Sequence, residues 1–236
     1  MIGVLELVEK KGRRPEVTAG RLYGLRCLRA EIPVTAGLRE SRIRRRVDKG
    51  ALALARAGVR RVLTAADFPW WEQLGRHGLC PVETAAFCQA LAAPLTLAAL
   101  ERQKISPARA SVALWGPSAS RALLRAAEEL CPRVRALAVD VPGEEARLAS
   151  WLWQEFGAAM VRPEAGGGPD VALWFGPDGP AGGVTLSLYG SRPDLAGLSP
   201  RLSRGPGEEE LSRLELLALL WEEGYLDLRE IRITST

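Results

Sequence analysis

The middle of the chain alternates between short runs of consecutive apolar residues and longer segments whose apolar residues recur at helical spacing. The apolar runs at 111–116 and 134–141 have the length of strands, and the segments 118–130 and 143–156 that follow them are predicted helices. A third strand is predicted at 158–161. Strands that are apolar throughout and are separated by helices are typical of a parallel sheet covered on both faces.

The N-terminal quarter has its own pattern of strands and a helix. Residues 2–8 and 22–32 are predicted strands joined by a basic loop at 10–20, and a further short strand is predicted at 59–64. Residues 37–57 are a predicted helix, because one stripe of apolar side chains recurs at helical spacing. That stripe consists of Ile43, Val47, Ala51 and Leu54.

Two further helices are predicted before the central strands. The first is short, at 69–77. The second runs over 81–102 with a kink at Pro94, since proline inside a helix removes a hydrogen bond and clashes with the preceding turn. This second helix is apolar on nearly every side, which is typical of a helix buried between layers or at a subunit interface. The sequence therefore predicts a homo-oligomer that associates through residues 81–102.

The C-terminal part of the chain has a different character. Strands at 170–175 and 184–189 flank a Gly- and Pro-rich turn and are predicted to pair as a hairpin. Residues 191–207 are a predicted surface loop, and 208–223 are a predicted amphipathic helix whose leading glutamates complement its N-terminal dipole. A last edge strand is predicted around Ile231.

Together these elements predict an α/β protein with a three-layer, mostly parallel sheet that carries helices on both faces. A basic β-hairpin-plus-helix element is predicted at 1–58. The main α/β domain is predicted at 59–236, with an antiparallel extension at its C-terminal end. We expect the two parts to pack as one compact unit.

Charge is distributed unevenly along the 236 residues. Residues 1–66 hold sixteen Lys and Arg against six Asp and Glu, a net charge of +10, and the remainder carries a net charge of −6. Four cations share one face of the predicted helix at 37–57: Arg39, Arg42, Arg46 and Lys49. This basic quarter suits a nucleic-acid partner, or attraction to the acidic remainder within the fold or across a dimer. A solvated helix face is the more ordinary interpretation, because no nucleic-acid-binding motif and no interleaved aromatic residues accompany the arginines.

Composition favours an ordinary soluble globular protein, with 47% hydrophobic and 25% charged residues. The four cysteines form no C-x-x-C pair and the single histidine, His77, does not complete a zinc set, so we expect reduced, mostly buried thiols and no metal. The chain start reaches Glu6 without the apolar core of a signal peptide. The longest apolar run, at 90–100, is too short to cross a membrane. We therefore expect a cytoplasmic location.

The turn between the strand at 111–116 and the next helix is the main candidate for a binding site. Its sequence from 115 to 121 is Trp-Gly-Pro-Ser-Ala-Ser-Arg. A turn that follows a parallel strand and opens a helix can hold phosphate on the free N–H groups of the helix. Asp140, at the end of the next predicted strand, is the candidate for binding a ribose. The candidate anion- or cofactor-binding residues of the turn are Gly116, Ser118, Ser120 and Arg121.

This arrangement resembles the dinucleotide-binding unit of Rossmann-type proteins, with an altered fingerprint. Gly116 stands at the first glycine position of G-x-G-x-x-G, but Ser118 and Arg121 replace the second and third glycines. The resemblance implies a Rossmann-like sheet and NAD as the candidate cofactor, with NAD favoured over NADP by the carboxylate of Asp140. The alternative is structural: Ser118 caps the helix and Asp140 caps a turn.

Two other arrangements bear on function. The turn also resembles the G-x-S-x-G nucleophile elbow of serine hydrolases, in which the catalytic histidine follows the serine, whereas His77 precedes it. This order argues against a Ser-His-Asp hydrolase. Asp67 follows the strand at 59–64, so it is a candidate to share one crevice with Ser118 and Asp140 at the carboxyl ends of the strands. As an alternative, Asp67 caps the turn that follows it.

Three function hypotheses follow from the sequence. The first is non-catalytic binding of a small anionic ligand or of a protein partner. The second is an NAD-dependent oxidoreductase, for which the sequence offers no convincing proton donor. The third is nucleic-acid binding by the basic N-terminal quarter, and whether the protein is an enzyme stays open.

Overall fold

A computed structural model describes residues 1–157, 168–179, 181–202 and 213–235. It confirms the predicted fold class, since the chain forms parallel sheets flanked by helices and a small antiparallel sheet from C-terminal residues. As far as these residues are described, the chain divides into two compact units. The first unit comprises Met1–Glu83 and Pro206–Asp227, and the second comprises Thr84–Gly205 and Leu228–Thr236.

The helices and strands have the following bounds. The described strands are β1 (Ile2–Glu9), β2 (Glu16–Leu22), β3 (Leu25–Val34), β4 (Arg61–Leu63), β5 (Cys80–Pro81), β6 (Ser111–Trp115), β7 (Ala136–Asp140), β8 (Val171–Trp174), β9 (Val184–Ser187), β10 (Leu198–Leu202) and β11 (Ile231–Ser235). The described α-helices are α1 (Glu40–Arg56), α2 (Trp71–Gly75), α3 (Ala85–Ala90), α4 (Ala92–Arg102), α5 (Arg121–Leu130), α6 (Glu145–Phe156) and α7 (Arg213–Glu222).

The sheet of the first unit has the strand order β2-β3-β1-β4-β5, and helix α1 packs on it. α1 approaches the sheet closely at Gly50, which has no side chain. A Cβ at this position would lie only 2.6 Å from Cδ1 of Ile32. The predicted apolar stripe is correct, with Val47, Ala51 and Leu54 fully buried. The packing creates one buried cluster: Leu5, Ala30, Ile32, Val47, Ala51, Leu54, Val59, Val62, Phe68, Leu74 and Leu79.

The prediction of a loop over residues 10–20 is wrong for its second half, which belongs to β2. This strand pairs antiparallel with β3, while β1 runs parallel to β3, so the hairpin of this region is formed by β2 and β3. β2 escaped prediction because its side chains from Glu16 to Arg21 are all exposed and show no apolar alternation. Since β4 pairs with β1, residues on both sides of position 58 share one sheet. The division into domains at 1–58 and 59–236 stays a prediction.

The main sheet of the second unit has the order β7-β6-β8-β9, and all its neighbouring strands are parallel. The predicted hairpin between the strands at 170–175 and 184–189 is therefore wrong. The glycine-rich connection returns to the start of β8, where the N–H of Gly183 donates to the carbonyl of Pro169 at 2.8 Å. The chain thus enters β9 in the same direction as β8. Turn-forming composition alone does not distinguish this return from a hairpin.

The predicted long helix at 81–102 is two helices, α3 and α4, preceded by the short strand β5. The break at Leu91 follows from Pro94, whose ring would clash with the carbonyl four residues earlier in a continuous helix. Within the first turn of α4, the missing N–H of Pro94 leaves no helical hydrogen bond unmade. The buried side of α4 packs on strands of its own unit. Self-association through this region stays a prediction.

The C-terminal residues form the expected antiparallel extension, in which β10 pairs with β11. β10 lies inside the predicted loop at 191–207, so that prediction is wrong for these five residues. They were missed because Pro200 and Arg201 interrupt the apolar pattern of a strand. The predicted strand at 158–161 and the first residues of the predicted helix at 208–223 lie outside the described residues.

Candidate functional site

The predicted turn lies where the chain connections of the second sheet diverge. From the carboxyl end of β6 the chain continues through α5 to β7 on one side, whereas from the neighbouring β8 it continues to β9 on the other. In open α/β sheets, ligands bind in the crevice outside such a topological switch point. The turn after β6, residues 116–120, and the loop that begins at Phe175 flank this crevice.

Backbone hydrogen bonds attach the turn to both neighbouring strands. The N–H of Gly116 donates to the carbonyl of Asp140 at 3.1 Å, so the structure brings these two predicted site residues together. On the other side, the N–H of Phe175 donates to the carbonyl of Trp115 at 2.8 Å. These two hydrogen bonds therefore hold the start of the turn at the carboxyl end of β6.

Ser120, not Ser118, caps helix α5. The Ser120 hydroxyl accepts a hydrogen bond from the N–H of Leu123 at 3.2 Å, and the helix begins at Arg121, three residues later than predicted. Ser118 instead uses its carbonyl to accept from the N–H of Ser120 at 2.8 Å. The alternative in which Ser118 caps the helix is therefore wrong. The hydroxyl of Ser120 is engaged in the cap, whereas the side chain of Ser118 is exposed.

Two glycines allow very close packing around the turn. A Cβ on Gly116 would lie 2.8 Å from Cδ1 of Leu123, and a Cβ on Gly176 would lie 2.5 Å from Cδ of Pro117. Gly116 thus provides the close contact between strand and helix that the Rossmann fingerprint assigns to its third glycine. Arg121, which replaces that third glycine in the sequence, does not occupy the contact and is exposed.

The turn presents groups that suit an anion. The exposed hydroxyl of Ser118 and the exposed guanidinium of Arg121 stand at the start of α5, whose first N–H groups have no acceptor inside the helix. The helix dipole adds partial positive charge at the same end. Asp140 is half-buried on the adjacent strand.

Asp67 belongs to the first unit, where it lines a cavity of about 280 Å³. This cavity lies beside β1, beyond the last residue of β4, which is the switch point of the first sheet: the chain leaves β1 toward β2 and β3, and leaves β4 toward β5. Its described walls are Leu5, Glu6, Leu7, Ala65, Asp67, Phe68, Pro69 and Trp70. A crevice shared by Asp67, Ser118 and Asp140 stays a prediction.

His77 and Arg46, which the sequence also singled out, form hydrogen bonds within the first unit. Nε2 of His77 lies 2.9 Å from Oδ1 of Asp48. On the basic face of α1, Arg46 donates to the carbonyl of Pro33 and is half-buried, while Arg39, Arg42 and Lys49 are exposed. The four predicted cations therefore do not form one uniformly solvated face.

The cysteines are free thiols, and three of the four are buried. Burial raises the pKa of the Cys88 thiol to about 12, and it also raises the pKa of Cys27 and Cys131. These thiols stay protonated at neutral pH, which makes them poor nucleophiles. Among the residues that the structure describes, no group of three His, Cys, Asp or Glu side chains is arranged to hold a metal ion.

Sequence reasoning missed most of the cavity in the first unit. It singled out Asp67 from its position after a strand, but Glu6 and Trp70 enter the wall only because β1 and β4 pair side by side. A prediction that β1 pairs with β4 would have identified Glu6 and Trp70 as neighbours of Asp67. The turn in the second unit was easier to predict, because its residues are contiguous.

The fold and the two switch points define an α/β protein with parallel sheets and candidate small-ligand sites at the carboxyl ends of its strands. No family model and no curated protein matches the chain. Among solved structures, it is similar to the crystal structure of L-tryptophan dehydrogenase from Nostoc punctiforme, with 14% identity and a TM-score of 0.31. The match covers 73% of this chain and 55% of that one, so the chain spans about half the length of this neighbour. A similarity of this size carries no functional implication. In the part of the chain that the structure describes, no helix has the length and apolarity needed to span a membrane.

Proposed function

We propose that the second unit binds a small anionic ligand, carrying phosphate or a similar group, at the start of α5. One observation carries this proposal: the turn after β6 lies at the switch point of a parallel sheet and opens a helix there. The ligand's negative charge would face the Arg121 guanidinium, the Ser118 hydroxyl and the first N–H groups of the helix. Binding without catalysis is sufficient to account for these groups.

A nicotinamide dinucleotide is the second candidate ligand, favoured specifically by Asp140. The N–H of Gly116 donates to the backbone carbonyl of Asp140, which supports a position of this residue beside the turn, where its carboxylate would accept a hydrogen bond from a ribose hydroxyl. An acidic residue at this position favours NAD over NADP, because a 2′-phosphate would be repelled. An oxidoreductase reaction would need a proton donor in addition.

The test is thermal unfolding of the full chain with inorganic pyrophosphate, NAD or NADP. A ligand present at about 100 times its dissociation constant stabilises the folded state by about 2.7 kcal/mol, which raises Tm by a few degrees in a protein of this size. We expect pyrophosphate to raise Tm and Arg121→Gln to remove most of the shift. Arg133→Gln is the matched control, since Arg133 is also exposed but follows the other end of α5.

The variant Asp140→Asn separates the two candidates. If the ligand is NAD, the variant weakens binding of NAD and leaves the pyrophosphate shift unchanged. Equal shifts with pyrophosphate in the parent protein and in Arg121→Gln would contradict the proposed site, as would the absence of any shift with all three ligands.

A further inference from the structure

The cavity in the first unit exists because β1 extends beyond the end of its neighbour β4. β1 runs from Ile2 to Glu9, but its ladder with β4 ends where Val4 faces Leu63. On the other side, β1 stays paired with β3 along its whole length. The second half of β1 is therefore held in place while its β4 side opens onto the cavity.

The loop that closes the cavity is anchored by aromatic packing. Phe68 is buried in the core cluster, and its ring meets Trp70 and Trp71 edge-on at centroid distances of 5.5 and 5.7 Å. The N–H of Phe68 also donates to the carbonyl of Ala65 at 3.2 Å, which closes the turn after β4. These contacts place Asp67 and Trp70 in the wall on a fixed backbone.

The charges in the wall are not balanced. Glu6 is paired with the guanidinium of Arg29 at 3.3 Å. Asp67 is exposed and has no ion-pair partner among the residues that the structure describes. The remaining wall is mainly apolar, from side chains such as Leu7, Phe68 and Trp70. The cavity thus combines one uncompensated negative charge with an apolar surface.

We propose that this cavity binds a small organic cation, an amine or guanidinium carried on an apolar body. Its positive group pairs with the Asp67 carboxylate, and the face of the Trp70 indole favours a cation further. Its apolar part lies against Phe68 and Trp70. With a volume near the lower end of the roughly 300–1,000 Å³ typical of small-molecule sites, the cavity takes a compact ligand.

This site is independent of the proposed function. Its ligand has the opposite charge, its residues lie in the other unit, and an anion would be repelled by the Asp67 carboxylate in the wall. Asp67 therefore serves a different ligand from that of Ser118 and Arg121. The failure of either proposal leaves the other untouched.

The experiment is a calorimetric titration of the full chain with 2-phenylethylamine, and in parallel with 2-phenylethanol and phenylacetate. These probes share the aromatic body and differ in charge. We expect the amine to bind roughly tenfold more tightly than the alcohol, in line with a hydrogen bond to a charged partner, and the anion to bind most weakly. Intrinsic fluorescence should change on binding of the amine, and the variant Trp70→Phe should lose most of this change.

The variant Asp67→Asn tests the role of the carboxylate. It should lower the affinity for the amine to that for the alcohol without changing the affinity for the alcohol. Glu9→Gln is the matched control, because Glu9 is also an exposed carboxylate of the first unit, at the end of β1 and outside the cavity wall. Equal affinity for amine and alcohol, unchanged amine affinity in Asp67→Asn, or no binding of the amine at millimolar concentration would overturn the proposal.

Discussion

The switch points of the two sheets differ in how the neighbouring strands end. In the second unit, β6 and β8 end level with each other, with Trp115 opposite Trp174, and the loops that follow meet where Pro117 contacts Gly176. In the first unit, β4 ends opposite Val4 while β1 continues for five residues. The cavity of the first unit thus adjoins unequal strand ends, whereas the candidate turn of the second unit follows strands that end level.

The side chains that follow the strands set the charge at each switch point. Ser118 and Arg121 follow β6 and open a helix, so this end of the second sheet suits an anion. Asp67 and an aromatic loop follow β4, so the corresponding end of the first sheet suits a cation with an apolar body. If both proposals hold, the same topological feature binds ligands of opposite charge, because the side chains at the site and not the fold determine function.

Among the substitutions that test this comparison, Phe68→Ala has the largest expected effect on stability. Phe68 is 5% exposed, and its removal takes a large side chain out of the core of the first unit and out of the cavity wall. We expect a loss of about 3–5 kcal/mol in the free energy of unfolding, measured in urea. Phe156→Ala is the control, because Phe156 is exposed on α6. A cost of Phe68→Ala no larger than that of the control would mean that the loop is not anchored by this ring.

Sequence patterns predicted the second unit better than the first, for a physical reason. The parallel strands β6 and β7 are apolar along most of their length, so their positions can be predicted from the sequence. The spacing of strand, turn and helix then predicts that Gly116 and Asp140 lie at the ends of these strands. By contrast, β2 is exposed on both faces and exists through its hydrogen bonds to β3, so side-chain pattern does not reveal it. The cavity is set by the unequal lengths of β1 and β4, which depends on pairing between segments more than fifty residues apart.

Local detail also depended on contacts that a linear pattern does not contain. The helix after β6 was predicted to start at Ser118, but Leu123 must reach Gly116 and Ser120 supplies the cap, which moves the start to Arg121. The glycine-rich segment before β9 was predicted as a hairpin turn. Its true course is decided by the hydrogen bond of Gly183 to Pro169, at the opposite end of β8.

An intermediate effect is expected when a methyl group is added at each switch point. Gly176→Ala places a Cβ 2.5 Å from Cδ of Pro117, so the two loops that meet at this end of the second sheet must shift. We expect a loss of about 1–3 kcal/mol in the free energy of unfolding. Ala65→Val adds bulk beside the cavity of the first sheet and should change stability by no more than about 0.5 kcal/mol. Similar costs for the two substitutions would contradict the difference in packing between Gly176 and Ala65.

The smallest effect, absent at neutral pH, concerns the thiols of the two units. Burial raises the pKa of Cys88 to about 12, whereas Cys80 at β5 is exposed. In the unfolded chain a thiol ionises near its ordinary pKa of 9.0. Between pH 9 and pH 12 the unfolded state therefore gives up a proton that the folded state keeps. The contribution of Cys88 to stability is complete below pH 9 and is lost as pH rises toward 12.

The variant Cys88→Ala should accordingly show a shallower fall of Tm between pH 9 and pH 11 than the parent protein. A thiol reagent offers a second readout at pH 8, because it should modify Cys80 in the folded protein and leave Cys88 unmodified until the chain unfolds. The buried thiols Cys27 and Cys131, whose pKa values are also raised by burial, are present in the parent protein and in Cys88→Ala and cancel in the comparison. Rapid modification of Cys88 under native conditions would show that the start of the second unit opens more readily than the burial of this thiol implies.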